Sequence, residues 1–131
     1  MKREVISTEN APAAGGPYSQ GIRIGDFLFV SGQIPIDPKT GVPIKGDVKV
    51  QTAQALKNVS SVLQATGASL EDIVKATVFV THMDEYDSIN EVYGQFFNKG
   101  CPARSCLEVS RLPKNVGVEI EVIAVMKSLV A

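Results

Sequence analysis

Apolar and polar positions alternate along several short stretches of the chain and recur at helical spacing along two others. A strand sends successive side chains to opposite faces, whereas a helix gathers every third or fourth residue on one face. Ile22, Ile24, Phe27, Phe29 and the run around Val30 therefore predict strands over Gly21 to Gly25 and Asp26 to Gln33, joined as a hairpin at Gly25-Asp26. Arg3 to Ile6 reads as a short edge strand. From Asp47 onward, Ala53, Leu56, Val59 and Leu63 share one helical face, Gln54, Lys57 and Gln64 the solvated one, and Gly67 supplies the stop. "SLED" (Ser69 to Asp72) is an N-cap signature for a single turn. Ile73 to Thr81 then reads as a central strand with Val74, Ala76, Val78 and Val80 on one side. Asp84 is placed to cap a second helix, whose stripe of Ile89, Val92, Tyr93, Phe96 and Phe97 runs to Gly100. Ala103 to Val109 and Val116 to Met126 follow as strands around "SRLPKN".

The resulting order, β-β-β-α-β-α-β-β, predicts an α+β or α/β fold in which two helices cover one face of a mixed six-stranded sheet. The other face, carrying Phe79, Ile123 and Val125, has no helix to cover it, so self-association is expected, with room for pockets between subunits. "APAAGGPYSQG" (Ala11 to Gly21) and "PIDPKTGVPIKGD" (Pro35 to Asp47) are too rich in proline and glycine for regular structure, and the first is a loop suited to border a pocket. With no internal repeat or low-complexity tract, residues 1–131 read as one domain.

Composition narrows the function. At 131 residues and 44% hydrophobic content the chain builds one ordinary core. A net charge of −1, no tryptophan and 6% aromatic residues offer neither a basic surface for phosphates nor many platforms for stacked bases, so nucleic acid is not expected as a main partner. Runs such as Phe27 to Val30 fall far short of the ~20 apolar residues of a membrane helix. "MKREVISTEN" lacks the apolar core of a secretory signal, so a cytoplasmic location is expected, with Cys101 and Cys106 as free thiols.

Candidate chemistry concentrates near the C-terminus. Alternation puts Arg104, Cys106 and Glu108 on one face of their strand, and Glu119 and Glu121 on a face shared with Ile123 and Val125. Arginine presents a planar, charged fork able to grip a carboxylate with two hydrogen bonds. Spacing alone favours a structural Arg104–glutamate ion pair over a small-acid anchor, but leaves both open. Cys106 as a nucleophile would need a base, and the one histidine, His82, lies at the end of another strand, where a residue leading into a helix is the simpler reading. Cys106 therefore reads first as a small buried hydrophobe and Cys101 as packing. The spacings of Cys101, Cys106 and His82 match no zinc pattern, and no phosphate loop is present, so no metal or nucleotide cofactor is expected. "SGQIP" (Ser31 to Pro35) ends a strand with a small residue and a glycine, where an exposed N–H can meet an anionic or carbonyl ligand.

Four segments together, "ENAPAAGGPYSQG", "VSGQIPIDPKTG", "VKATVFV" and "PARSCLEVSRLPKNVGVEIEVIAV", resemble the Rid family of reactive-intermediate deaminases, also called the YjgF or endoribonuclease L-PSP family, and within it the RidA branch. The resemblance runs from about Ile6 to Val125. It implies a chorismate-mutase-like α+β fold assembled as a homotrimer, with active sites between subunits, and hydrolysis of short 2-imino acids such as 2-iminopropanoate and 2-iminobutanoate to 2-oxo acids and ammonia. It places the substrate-carboxylate arginine on Arg104 and the carboxylate that handles the attacking water on Glu119, with Tyr18, Ser31, Gly32, Asn90 and Cys106 at the remaining pocket positions. The sequence departs from the common pattern at Cys101, where an aromatic residue often precedes the proline, and at Gly117, where a larger polar residue is common. Two other functions fit the resemblance: a small-acid-binding regulatory trimer without turnover, and an RNA-acting translation inhibitor, which the charge balance disfavours.

Overall fold

A computed structural model describes residues 1–127. Its elements run β1 (Arg3–Ile6), β2 (Gly21–Ile24), β3 (Phe27–Gln33), α1 (Val48–Gln64), β4 (Ile73–Val80), α2 (Tyr86–Gly94), β5 (Ala103–Glu108) and β6 (Val118–Val125). The six strands form one sheet in the order β1-β2-β3-β6-β4-β5, antiparallel throughout except for the parallel β4–β5 pair, which α2 connects. This is the α+β class expected, with β1 at one edge and β4 in the interior.

Alternation along the strands divides the sheet. Leu28, Val30, Ala76, Val78, Val80, Val118, Ile120, Val122 and Ala124 are buried together with Leu56, Val59, Val62 and Leu63 of α1 and Ile89 and Tyr93 of α2 in one cluster. Both helices thus lie on one face, and each fully buried leucine or valine there contributes about 1.5–3 kcal/mol. On the other face Phe27, Phe29 and Leu107 remain 43–47% exposed, and Phe79, Ile123 and Val125 are half-buried with no element over them.

Local signals account for the element ends. The Asp47 carboxylate accepts from Lys49 N at 2.8 Å and caps α1. At the far end Ala68 N reaches back to Leu63 O (3.1 Å) and Gly67 N to Gln64 O (3.0 Å), a chain reversal that requires the left-handed φ of 87° at Gly67. Gly25, at φ 59°, turns the β2–β3 hairpin as expected.

Four expectations need correction. Val74 is exposed, because a bulge between Ile73 and Lys75 shifts the register against β6 and gives the buried place to Ile73. Asp84 does not cap α2: a 3₁₀ turn over Met83–Glu85 leads into it, and the Glu108 carboxylate of β5 accepts from Met83 N at 2.8 Å. The helix ends at Gly94, short of Gly100, so Phe96 and Phe97 follow it, and Phe97 is buried from a turn. In α1 the buried stripe runs through Thr52, Ala55, Leu56 and Val59, which leaves Ala53 half-buried and Gln54 bonded to Asn58 at 2.9 Å.

Candidate functional site

The sheet register separates the two principal candidates. Arg104 pairs with Ala76 and Glu119 with Phe79, three residues further along β4, so the two side chains leave the sheet on opposite faces. Within one chain they do not meet.

On the helix-covered face, Arg104 sits beside α2. Its Nη2 donates to Tyr86 Oη at 3.0 Å, and its guanidinium carbon lies 4.7 Å from the ring centroid of Tyr93 and 5.5 Å from that of Tyr86. Among the described residues it makes no salt bridge, so the structural ion pair that spacing favoured is absent. Glu108, the carboxylate on its own strand face, bonds Met83 N instead. Asn90, Tyr93, Gly94, Cys101, Pro102 and Arg104 line a cleft of about 300 Å³ here. Two buried polar atoms in these walls, Asn90 Oδ1 and Tyr93 Oη, have no hydrogen-bond partner. Buried polar groups are ordinarily paired, so two unpaired ones beside a guanidinium without a carboxylate partner set this wall apart from the rest of the core. Burial pushes the Tyr93 phenol up to about 12 against the opposing charge of Arg104. Cys106 follows Arg104 on the same face and packs against the core. Burial raises its thiol, Arg104 partly opposing, which is the reverse of an activated nucleophile.

On the open face, a bulge in β3 sets Ser31 and Gly32 against the single residue Glu121 of β6. The bulge brings Gly32 against the Glu119 side chain: a β-carbon at Gly32 would stand 2.8 Å from Glu119 Cδ and 3.1 Å from its Cγ. Glycine leaves the Glu119 carboxylate room to sit here, and does not serve an unusual φ. Burial first, and then the charge of Glu121, raise the Glu119 carboxyl above the usual 4.5. Ser31 joins this group to the 11–20 loop, its Oγ donating to Ser19 O at 2.6 Å and its N to Gln20 O at 2.9 Å. Gln20 holds the loop closed, accepting from Thr8 N (2.7 Å) and donating to Thr8 O (3.0 Å) and Pro12 O (2.8 Å). Tyr18, half exposed, accepts from Gly15 N at 3.1 Å and lines a cleft of about 640 Å³ with Ser19 and Gln20. The loop read as a pocket border is one.

The expected site residues are therefore divided: Arg104, Asn90 and Cys106 lie on the helix-covered side, Gly32 and Glu119 on the open face, and Ser31 ties that face to the loop that carries Tyr18. Tyr86 and Tyr93 were not expected among them. Tyr93 was assigned to the apolar stripe of α2, where its hydroxyl was the one sign of another role. Cys101 is exposed on the cleft wall, where its position alone read as packing and the departure from the family pattern bore on the shape of the pocket wall. His82 leads into the turn before α2, with Nδ1 3.0 Å from Thr81 Oγ1. Among the described residues no three His, Cys, Asp or Glu side chains are gathered as metal ligands, and no helix is long and apolar enough to cross a membrane.

A mixed α+β sheet thus carries, beside α2, a small cleft lined by an arginine that has no salt bridge among the described residues. The chain belongs to the endoribonuclease L-PSP family, whose model matches residues 8–126, the family also known as Rid or YjgF. It is 56% identical to a RutC family protein of Pyrococcus horikoshii over 93% of this chain and 97% of that one. It is 50% identical to the 2-iminobutanoate/2-iminopropanoate deaminase of Salmonella typhimurium, over 95% of this chain and 98% of that one. The structure of Escherichia coli TdcF with bound serine superposes with a TM-score of 0.91 at 47% identity, covering 95% of this chain and 99% of that one.

Proposed function

We propose that the protein is a deaminase that hydrolyses short 2-imino acids, among them 2-iminopropanoate and 2-iminobutanoate, to 2-oxo acids and ammonia. The observation that carries this reading is the guanidinium of Arg104, without a carboxylate partner among the described residues, lining a small cleft. A relative named for this reaction at 50% identity, and a serine-bound structure of similar fold, support a small amino-acid-derived ligand.

The site is completed between subunits. Glu119 and Arg104 leave opposite faces of one sheet, and the open face carries exposed Phe27, Phe29 and Leu107, so a homotrimer brings Glu119 of one subunit to the Arg104 cleft of its neighbour. Arg104 then grips the carboxylate with two hydrogen bonds. Backbone groups at Gly32 and Cys106 orient the imine nitrogen and the carboxylate. Glu119, its carboxyl raised toward the working pH, takes a proton from water as the oxygen attacks the imine carbon. Collapse of the resulting carbinolamine breaks the C–N bond, and the proton leaves with ammonia. The imine carbon is already electrophilic, so positioning carries most of the acceleration and no covalent intermediate is needed.

The test couples an amino-acid oxidase to semicarbazide, which traps the released imine. The protein should lower semicarbazone formation in proportion to its concentration, and Arg104→Ala should abolish the effect while leaving the oligomer intact. No effect on imines from any short amino acid, or full activity in Arg104→Ala, contradicts the proposal.

A further inference from the structure

An arginine side chain is long and rotamer-rich, and a carboxylate partner usually holds it. Arg104 is held without one among the described residues. Tyr86 and Tyr93 take that place. They stand seven residues apart on α2, two helical turns, and so share one face. Both rings lie within the roughly 6 Å over which a ring attracts a cation, and Tyr86 Oη also accepts from Nη2. Tyr93 is in turn fixed by Phe97, whose ring centroid is 4.8 Å away.

We propose that Tyr86 and Tyr93 are positioning residues that clamp the Arg104 guanidinium, so that its remaining N–H donors face the cleft of Asn90, Gly94, Cys101 and Pro102 and bind a small carboxylate. This rests on the reading of Arg104 as the acid anchor, and adds what keeps the anchor ready. The chemistry of the clamp matters. A carboxylate partner would neutralise the guanidinium and have to be displaced by the incoming acid, whereas aromatic rings orient the charge and leave it unspent. A guanidinium carries five N–H donors. Tyr86 occupies one, which leaves enough for a two-point grip. Tyr93 Oη has no partner, so Tyr93 acts through its ring.

The experiment measures calorimetric binding of 2-oxobutanoate to the full-length protein, together with KM and kcat for 2-iminobutanoate. Loss of a hydrogen bond to a charged group in Tyr86→Phe should weaken binding and raise KM about tenfold, with kcat within about threefold, because the grip acts on substrate and transition state alike. Tyr93→Leu should weaken binding similarly, and Tyr93→Phe, which restores the ring, should restore the affinity. Thermal melting identifies variants that fail to fold, and Tyr86→Phe, at a 38% exposed residue, keeps the test decisive if Tyr93→Leu is one of them. If Arg104→Ala abolishes binding while Tyr86→Phe and Tyr93→Leu bind as the unaltered protein does, the clamp is wrong and the acid site stands. If the unaltered protein shows no Arg104-dependent binding, the acid site is wrong and the clamp falls with it.

Discussion

Glu119 and Gly32 show how closely one side chain depends on another's absence. A methyl group at Gly32 meets the far end of Glu119, which is flexible, so the carboxylate can swing aside at little cost to folding. Gly32→Ala should therefore melt within a few degrees of the unaltered protein yet lose at least about tenfold in kcat, as a displaced catalytic group does. Steady-state kinetics beside thermal melting separates the two effects. The Glu119 carboxyl itself is raised by burial and by Glu121, which has consequences for rate and for stability. The acid limb of the rate profile should bend above 4.5 and vanish with the residual activity of Glu119→Gln. For stability, the folded chain holds this proton more tightly than the unfolded chain. Its contribution is therefore fully present below the ordinary carboxyl range and is lost as pH rises through the raised value. Glu119→Gln should remove that slope in denaturation curves taken across the interval. Alternation in the sequence was enough to put Arg104 and Glu119 on definite strand faces, and resemblance supplied their roles. It did not show whether Arg104 was paired, because the answer depends on Glu108 being taken by Met83 N, a contact across 25 residues.

At the level of elements, the termini and bulges decide which side chains reach the site. The end of α1 depends on Gly67, whose φ of 87° costs any other residue roughly 1–2 kcal/mol. A β-carbon there meets nothing within 4 Å, so Gly67→Ala should lose about that much stability in urea unfolding, from backbone strain alone, with the activity unchanged. A larger loss would mean that the position is packed. These end signals were legible because glycine and N-cap residues act locally. The two strand bulges were not, since a bulge exists only relative to a partner strand. One moved Val74 out of the core, and the other set Gly32 beside Glu119. The length of α2 was overestimated for a related reason. Phe96 and Phe97 continue the apolar periodicity past the helix end, and Phe97 reaches the core from a turn.

At the level of the whole molecule, the sheet has one face covered by helices and one bare, and each bears half of the proposed site. The bare face was legible from Phe79, Ile123 and Val125, because apolar residues alternating on a strand with no amphipathic partner element must meet something else. The most direct measurement of the central claim mixes two inactive proteins, Arg104→Ala and Glu119→Gln, by joint refolding. If each site takes Arg104 from one subunit and Glu119 from its neighbour, random mixed trimers place an intact arginine opposite an intact glutamate in about one quarter of sites. The account predicts recovery of about one quarter of the unaltered activity, absent from either protein alone. Mixed trimers that form and remain inactive would contradict it.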